Sequence, residues 1–175
     1  MSAKHGQSPI DKSKRQAMSD APYTKTPGYA FHVADDVALL WLDPKTAAAN
    51  RTDAADYLLG QAGPLKIESL AGAEVLRLAY QDPATDSRTP DFIALPQYGV
   101  IYTGGTKLAE HGGYTNDDRN VGLLVSGSGI DGHVVNDTVE TRQIAPTILR
   151  TLGLDPRKLQ AIREEGTNVL PDILR

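Results

Sequence analysis

Apolar side chains in this chain come only in short runs. The longest, Val37 to Leu42, is six residues. That is far short of the roughly 20 a membrane-spanning helix needs and is the length of a buried strand. Turn formers close the runs and set the element order. Asp43-Pro44 supplies an N-cap and a first-turn proline, which predicts a helix from Pro44 to about Gln61, stopped near Gly63-Pro64. Lys66 to Leu70 reads as a weak strand. Ala73 to Tyr80 reads as a short helix with Val75, Leu76 and Ala79 on one side, and Gln81 to Pro90 as a polar loop. Phe92 to Leu95 and Val100 to Tyr102 read as strands broken at Pro96, Gln97 and Gly99. Val121 to Ser126 is apolar enough to be buried on both faces, as in a parallel sheet. Thr141 is placed to cap a helix carrying Ile144, Ile148, Leu149 and Leu152. Asp155-Pro156 repeats the cap-plus-proline signal for a last helix through about Glu165, closed by Gly166. Residues 1 to 29, with Pro9, Pro22, Pro27 and Gly28, read as mostly loop. Strands alternating with helices predict a layered α/β fold, and 175 residues suit one domain over 1–175.

Charge and composition narrow the function classes. The net charge of −4 argues against a nucleic-acid or anionic-membrane surface, which needs clustered Lys and Arg. The one basic cluster, Lys12, Lys14 and Arg15, reads as a solvated loop. The absence of cysteine excludes disulfide scaffolds, Cys-ligated zinc and thiol catalysis. The first residues, Met1-Ser2-Ala3-Lys4-His5-Gly6, lack the apolar stretch of a signal peptide. The default expectation is therefore cytoplasmic, with an upstream signal on a longer native protein left open.

Chemistry concentrates in Ala109 to Arg119, which holds one imidazole, three carboxylates, two glycines and an arginine between two apolar segments. Polar, glycine-softened loops between strands are where α/β proteins place reactive groups. On spacing alone His111 reads equally as a ligand or catalytic imidazole and as part of a flexible acidic loop. His5, in Lys4-His5-Gly6-Gln7-Ser8-Pro9, has the same glycine neighbour. Two His-Gly loops among only four histidines suggest one metal site built from both ends. Alone, His5 reads as part of a frayed terminus. His32 reads as structural and His133, in a Gly-Asp-Gly-His turn, as a solvated loop residue. No catalytic motif is complete. Ser126-Gly127-Ser128-Gly129 lacks the Gly-Lys-Ser/Thr of a phosphate loop and is too short for a dinucleotide fingerprint. Ser8 lies too close in sequence to His5 for a useful nucleophile–base pair.

Four segments taken in order resemble one known family: Lys4-His5-Gly6-Gln7-Ser8-Pro9-Ile10-Asp11; Arg88-Thr89-Pro90-Asp91-Phe92-Ile93; Glu110-His111-Gly112-Gly113 with Asp117-Asp118-Arg119; and Gln143-Ile144-Ala145-Pro146-Thr147-Ile148-Leu149 with Leu152-Gly153-Leu154. This set resembles the alkaline phosphatase superfamily, in its branch of type I phosphodiesterase and nucleotide pyrophosphatase-like phosphoesterases. The resemblance implies a three-layer α/β/α fold and two divalent ions, zinc or manganese, about 4 Å apart. It implies that His111 matches the late histidine ligand of one ion. His5 matches the histidine of the family's Asp-His-Gly pair on the other. Lys4 stands where that pair has its aspartate; an ammonium does not ligate a metal while protonated and would instead bind a substrate oxyanion or replace a metal charge. Arg119 is then a candidate phosphate contact, and Asp117 a candidate for supporting a metal ligand from behind. The substrate implied is a phosphate-ester small molecule.

The family's nucleophile, first metal aspartate and Asp-x-x-x-His pair precede its Asp-His-Gly motif. The resemblance therefore implies that this chain matches the C-terminal portion, with an incomplete sheet and flanking helices, and is inactive alone. Open apolar edges predict self-association, as a homo-oligomer, or pairing with the missing N-terminal half. The alternative is a non-catalytic module that self-associates or binds a partner and keeps a residual metal or anion site.

Overall fold

The computed structural model describes residues 1–16, 21–103 and 105–173. The part of the expected N-terminal loop at 17–20 lies outside the described residues. The chain divides into two compact units, one of Lys4–Val121 and one of Met1–Ala3 with Gly122–Arg175. Its secondary structure is mixed α/β, and its two sheets are antiparallel.

In the Lys4–Val121 unit the elements are β1 (Ser8–Pro9), α1 (Ala21–Thr24), β2 (Tyr29–Ala34), β3 (Ala38–Leu42), α2 (Ala47–Gly60), α3 (Ala62–Leu65), β4 (Ile67–Ala71), α4 (Ala73–Leu76), β5 (Phe92–Pro96), β6 (Ala109–Glu110) and α5 (Asn116–Arg119). The main sheet runs β2-β3-β5-β4, so β3 and β5 are central and β2 and β4 are edges. Period-two alternation sorts the central side chains. Ala38, Leu40 and Leu42 of β3 and Phe92 and Ala94 of β5 face one core with Leu58 of α2. Leu39, Ile93 and Leu95 join Val37, Leu76 and Tyr114 on the opposite face. Helix α2 buries Ala47, Ala54 and Leu58, which recur at helical spacing on one side.

Several sequence expectations shift here. The helix expected from Pro44 begins at Ala47, because Asp43 spends its capping capacity on a turn. Its Oδ1 accepts the Lys45 N–H at 2.9 Å and its carbonyl accepts from Thr46 and Ala47. The strand at Phe92 to Leu95 is present as β5, but Val100 to Tyr102 keeps only a bridge between Tyr102 and Gln16. Strand β2 lies in what reads as loop up to residue 29 and the lead-in to Val37.

In the other unit a 3₁₀ turn (Thr141–Gln143) leads into α6 (Ile144–Thr151), and a second (Pro156–Lys158) precedes α7 (Gln160–Glu165). The cap of the first is Glu140 rather than Thr141: it forms a reciprocal capping box with Gln143. Asp155 caps the second through the Arg157 N–H at 3.0 Å. Helix α7 closes at Gly166, whose left-handed φ of 64° a side chain would strain. The expected parallel strand at Val121 to Ser126 is absent. Only Leu123 bridges, antiparallel, to Ser2. The apolar run signals a preference for burial, but among the described residues no second segment runs beside it to make a ladder.

Candidate functional site

Two residues of ladder create the site. Ser8 and Pro9 of β1 pair antiparallel with Glu110 and Ala109 of β6. Flanking main-chain bonds extend the contact, Ile10 N–H to Leu108 O at 3.0 Å and Gly6 N–H to Asp118 O at 2.8 Å. Gly6 has to be glycine here, since a Cβ would stand 1.8 Å from the Asp117 carbonyl oxygen. This docking lays the His5 ring on the His111 ring, with centroids 3.7 Å apart and planes within 20°. The two histidines singled out from the sequence are thus brought together from opposite ends of the unit.

Their surroundings orient them. His5 Nδ1 lies 2.8 Å from the Gly6 carbonyl oxygen. That hydrogen bond needs Nδ1–H, which leaves Nε2 with its lone pair in the neutral ring. His111 donates its main-chain N–H to Glu110 Oε1 at 3.1 Å, and its Nε2 lies 3.8 Å from the same oxygen. Glu110 is buried and is paired with Lys107, which also reaches Asp35 at 3.1 Å.

Behind the histidines lies a polar cluster centred on Asp118, which is only 5% exposed. Its Oδ2 accepts from the Ser8 hydroxyl at 2.7 Å and the Thr115 hydroxyl at 2.8 Å. Thr115 also caps α5 by accepting the Asp118 N–H. Asp36, in the β2–β3 turn, accepts the Gly113 N–H at 3.0 Å. Burial and the neighbouring Asp118 carboxylate push the Asp36 carboxyl up to about 6, with the Gly113 N–H opposing.

The remaining candidates make contacts of their own. Lys4 is exposed. Asp117 accepts the Tyr98 hydroxyl at 2.8 Å, a bond that pushes the Tyr98 phenol up. Arg119 lies over the Tyr114 ring at 5.9 Å. His32 is part-buried beside Tyr29 and Tyr23, and His133 is exposed, its Nδ1 2.8 Å from the Asp131 carbonyl oxygen. Gly127 accepts from Ile130 in an ordinary turn rather than a phosphate cradle.

As a metal centre the cluster is incomplete. The stacked rings keep their nitrogen lone pairs in two separate, nearly parallel planes, so the pair does not close on a single ion at the roughly 2 Å a metal–imidazole bond requires. Among the described residues no three His, Asp or Glu side chains converge in a way that could hold a metal. The residues present do not make a full site for either implied ion. Among the described residues, no helix is long and apolar enough to cross a membrane.

Asp36 and Ser8 are the participants that sequence reasoning missed. Asp36 belongs to no motif in the sequence, and Ser8 is set aside as too close to His5; in the fold Ser8 serves Asp118 instead. The one available signal was the pair Asp35-Asp36 beside a buried strand. No family model, curated protein or solved structure matches this chain.

Proposed function

We propose that this chain carries part of the metal site of a phosphoesterase of the alkaline phosphatase superfamily. It would be the C-terminal part of a three-layer α/β/α enzyme, with a phosphate-ester small molecule as substrate. The observation that supports this most is the meeting of His5 and His111, the two residues that the motif resemblance marks as ligands of separate ions. The Gly6 carbonyl beside His5 Nδ1 is the kind of partner that orients a metal-bound imidazole. Each ion would take one histidine here and the rest of its ligands, together with the nucleophile, from outside this chain. A divalent metal, zinc or manganese, would polarise the phosphoryl group when bound. This chain's own contribution is positional: β1 and β6 fix the two rings, and Gly113, Thr115 and Asp118 hold the loop between them. On this reading the chain alone does not turn over a phosphodiester.

A second reading, a self-associating non-catalytic module, is favoured by apolar side chains left open in the Gly122–Arg175 unit. Leu124 is 61% and Val134 82% exposed. One sample tests both. Zinc titrated into the chain, followed by histidine ring NMR, is expected to perturb His5 and His111 weakly, and His5→Ala or His111→Ala each to remove only the response of the ring replaced. Zinc that leaves both rings unmoved overturns the metal reading. Turnover of bis-p-nitrophenyl phosphate by the pure chain, lost in His111→Ala, overturns the half-site. Sedimentation of the metal-free chain as a compact monomer overturns self-association.

A further inference from the structure

Gly113 is squeezed between two acids. A Cβ there would lie 2.6 Å from both Asp36 Oδ2 and Asp118 Oδ2. The two carboxyl groups thus approach the same point beside Gly113, where the Asp118 charge acts on Asp36, and no lysine or arginine among the described residues pairs with either. The nearby ammonium, on Lys107, is taken by Asp35 and Glu110. Asp118 Oδ1 is buried with no hydrogen-bond partner, a costly state for a carboxylate oxygen. One acid proton on Asp36, facing Asp118, cancels one of two like charges in this buried cluster. It belongs on Asp36, because Asp118 Oδ2 already accepts from two hydroxyls.

We propose that Asp36 and Asp118 share one proton across Gly113, and that this proton is a clasp fastening the His111 loop to the β2–β3 turn and to the N-terminal strand. The clasp joins three segments. Asp36 holds Gly113 from the β2–β3 turn, Asp118 and Thr115 belong to the loop, and Ser8 belongs to β1. With the proton gone, two carboxylates repel across Gly113 and the loop loosens, taking His111 away from His5. The inference concerns loop closure and holds whether or not a metal binds.

The groups facing Asp36 are Asp118 and the Gly113 N–H from the loop and Asp35 from its own turn. Lys107 and Glu110 stand behind Asp35, and Ser8 and Thr115 stand behind Asp118. In sign, the closed loop binds the proton more tightly than the open one. Closure is therefore strongest below the ordinary aspartate value of 3.8, weakens as pH rises to about 6, and is flat above that.

The test uses the whole chain, metal-free in chelator. Amide exchange at Gly6 and Gly113, corrected for intrinsic rates, is followed from pH 4 to 7. Protection is expected to fall at least about tenfold over that range, because Asp36 is only part-buried and water screens it. In Asp36→Asn, whose neutral amide both donates to Asp118 and accepts from Gly113, protection is expected to stay level. Carboxyl carbon-13 titration of the wild type is the second readout, with Asp36 expected to titrate at about 6, above the ordinary value of 3.8. Level protection in the wild type, the wild-type profile retained in Asp36→Asn, or both carboxyls titrating in the ordinary range overturns the proposal. If Asp36→Asn does not fold, the carbon titration decides alone.

Discussion

Replacing Gly6 with alanine places one methyl group where β1 meets the His111 loop. The added Cβ would stand 1.8 Å from the Asp117 carbonyl oxygen and 2.9 Å from that of Asp118. Both obstacles are backbone, so no side chain can swing aside, and the contact must open by roughly 1 Å or more. An opening that large also breaks the 2.8 Å bond from the Gly6 N–H to Asp118 O. Overpacking of this kind costs about 1–3 kcal/mol, and the lost hydrogen bond about 1 kcal/mol. The sum, about 2–4 kcal/mol, corresponds to a fall in Tm of about 6–12 °C for a chain of this size. The control is Gly60→Ala at the end of α2, where an added Cβ meets nothing within 4 Å and the change is expected to be neutral or slightly stabilising. Calorimetry gives the Tm, and the ring-proton shifts of His5 and His111 report whether the rings still stack. A Gly6→Ala protein that melts with the Gly60→Ala control and keeps the mutual ring-current shifts would refute the close docking of β1.

Two further substitutions probe the main sheet. Leu58→Ala removes a side chain buried in the core under β3 and β5, and should cost about 3–5 kcal/mol, read as a lower urea midpoint with unchanged slope. Asp91→Ala leaves two groups without their partner, Arg51, now 2.5 Å from Oδ1, and the Leu42 N–H, 2.8 Å from Oδ2. It should cost about 3 kcal/mol, again by urea unfolding, with Asp91→Asn losing less because its amide oxygen can still accept one of those bonds.

Much of the main sheet was legible because its signals are local. The apolar run Val37 to Leu42 marks β3, and Asp155-Pro156 does set a capped turn before the last helix. What escaped depends on partners distant in sequence. Strand β2 alternates less sharply, since as an edge strand it leaves Phe31 and Val33 open to solvent. The run Val121 to Ser126 carries an apolar signal as strong as that of β5, yet a ladder requires a neighbour, and a run of side chains does not reveal whether the chain provides one.

The site divides the same way. His5 and His111 stand out by their glycine neighbours, because glycine tolerates close approach of backbone, and Gly6 does pass against the Asp117 carbonyl. The ladder that unites the two rings is two residues long, too short to have any periodicity to read. Asp36 could not be distinguished from a turn aspartate until the fold set it across Gly113 from Asp118.

The ladder between β1 and β6 also orders events in time. The β2–β3 hairpin closes over a tight turn, whereas the contact of Ser8 with Thr115 spans 107 residues of chain. Closure entropy grows only slowly with length, but a two-residue ladder returns little until the surface it docks on exists. The histidine pair is therefore expected to form late as this unit folds and to open early as it unfolds, read by amide exchange at Gly6. A preparation can show its full complement of helix and sheet and still have no site.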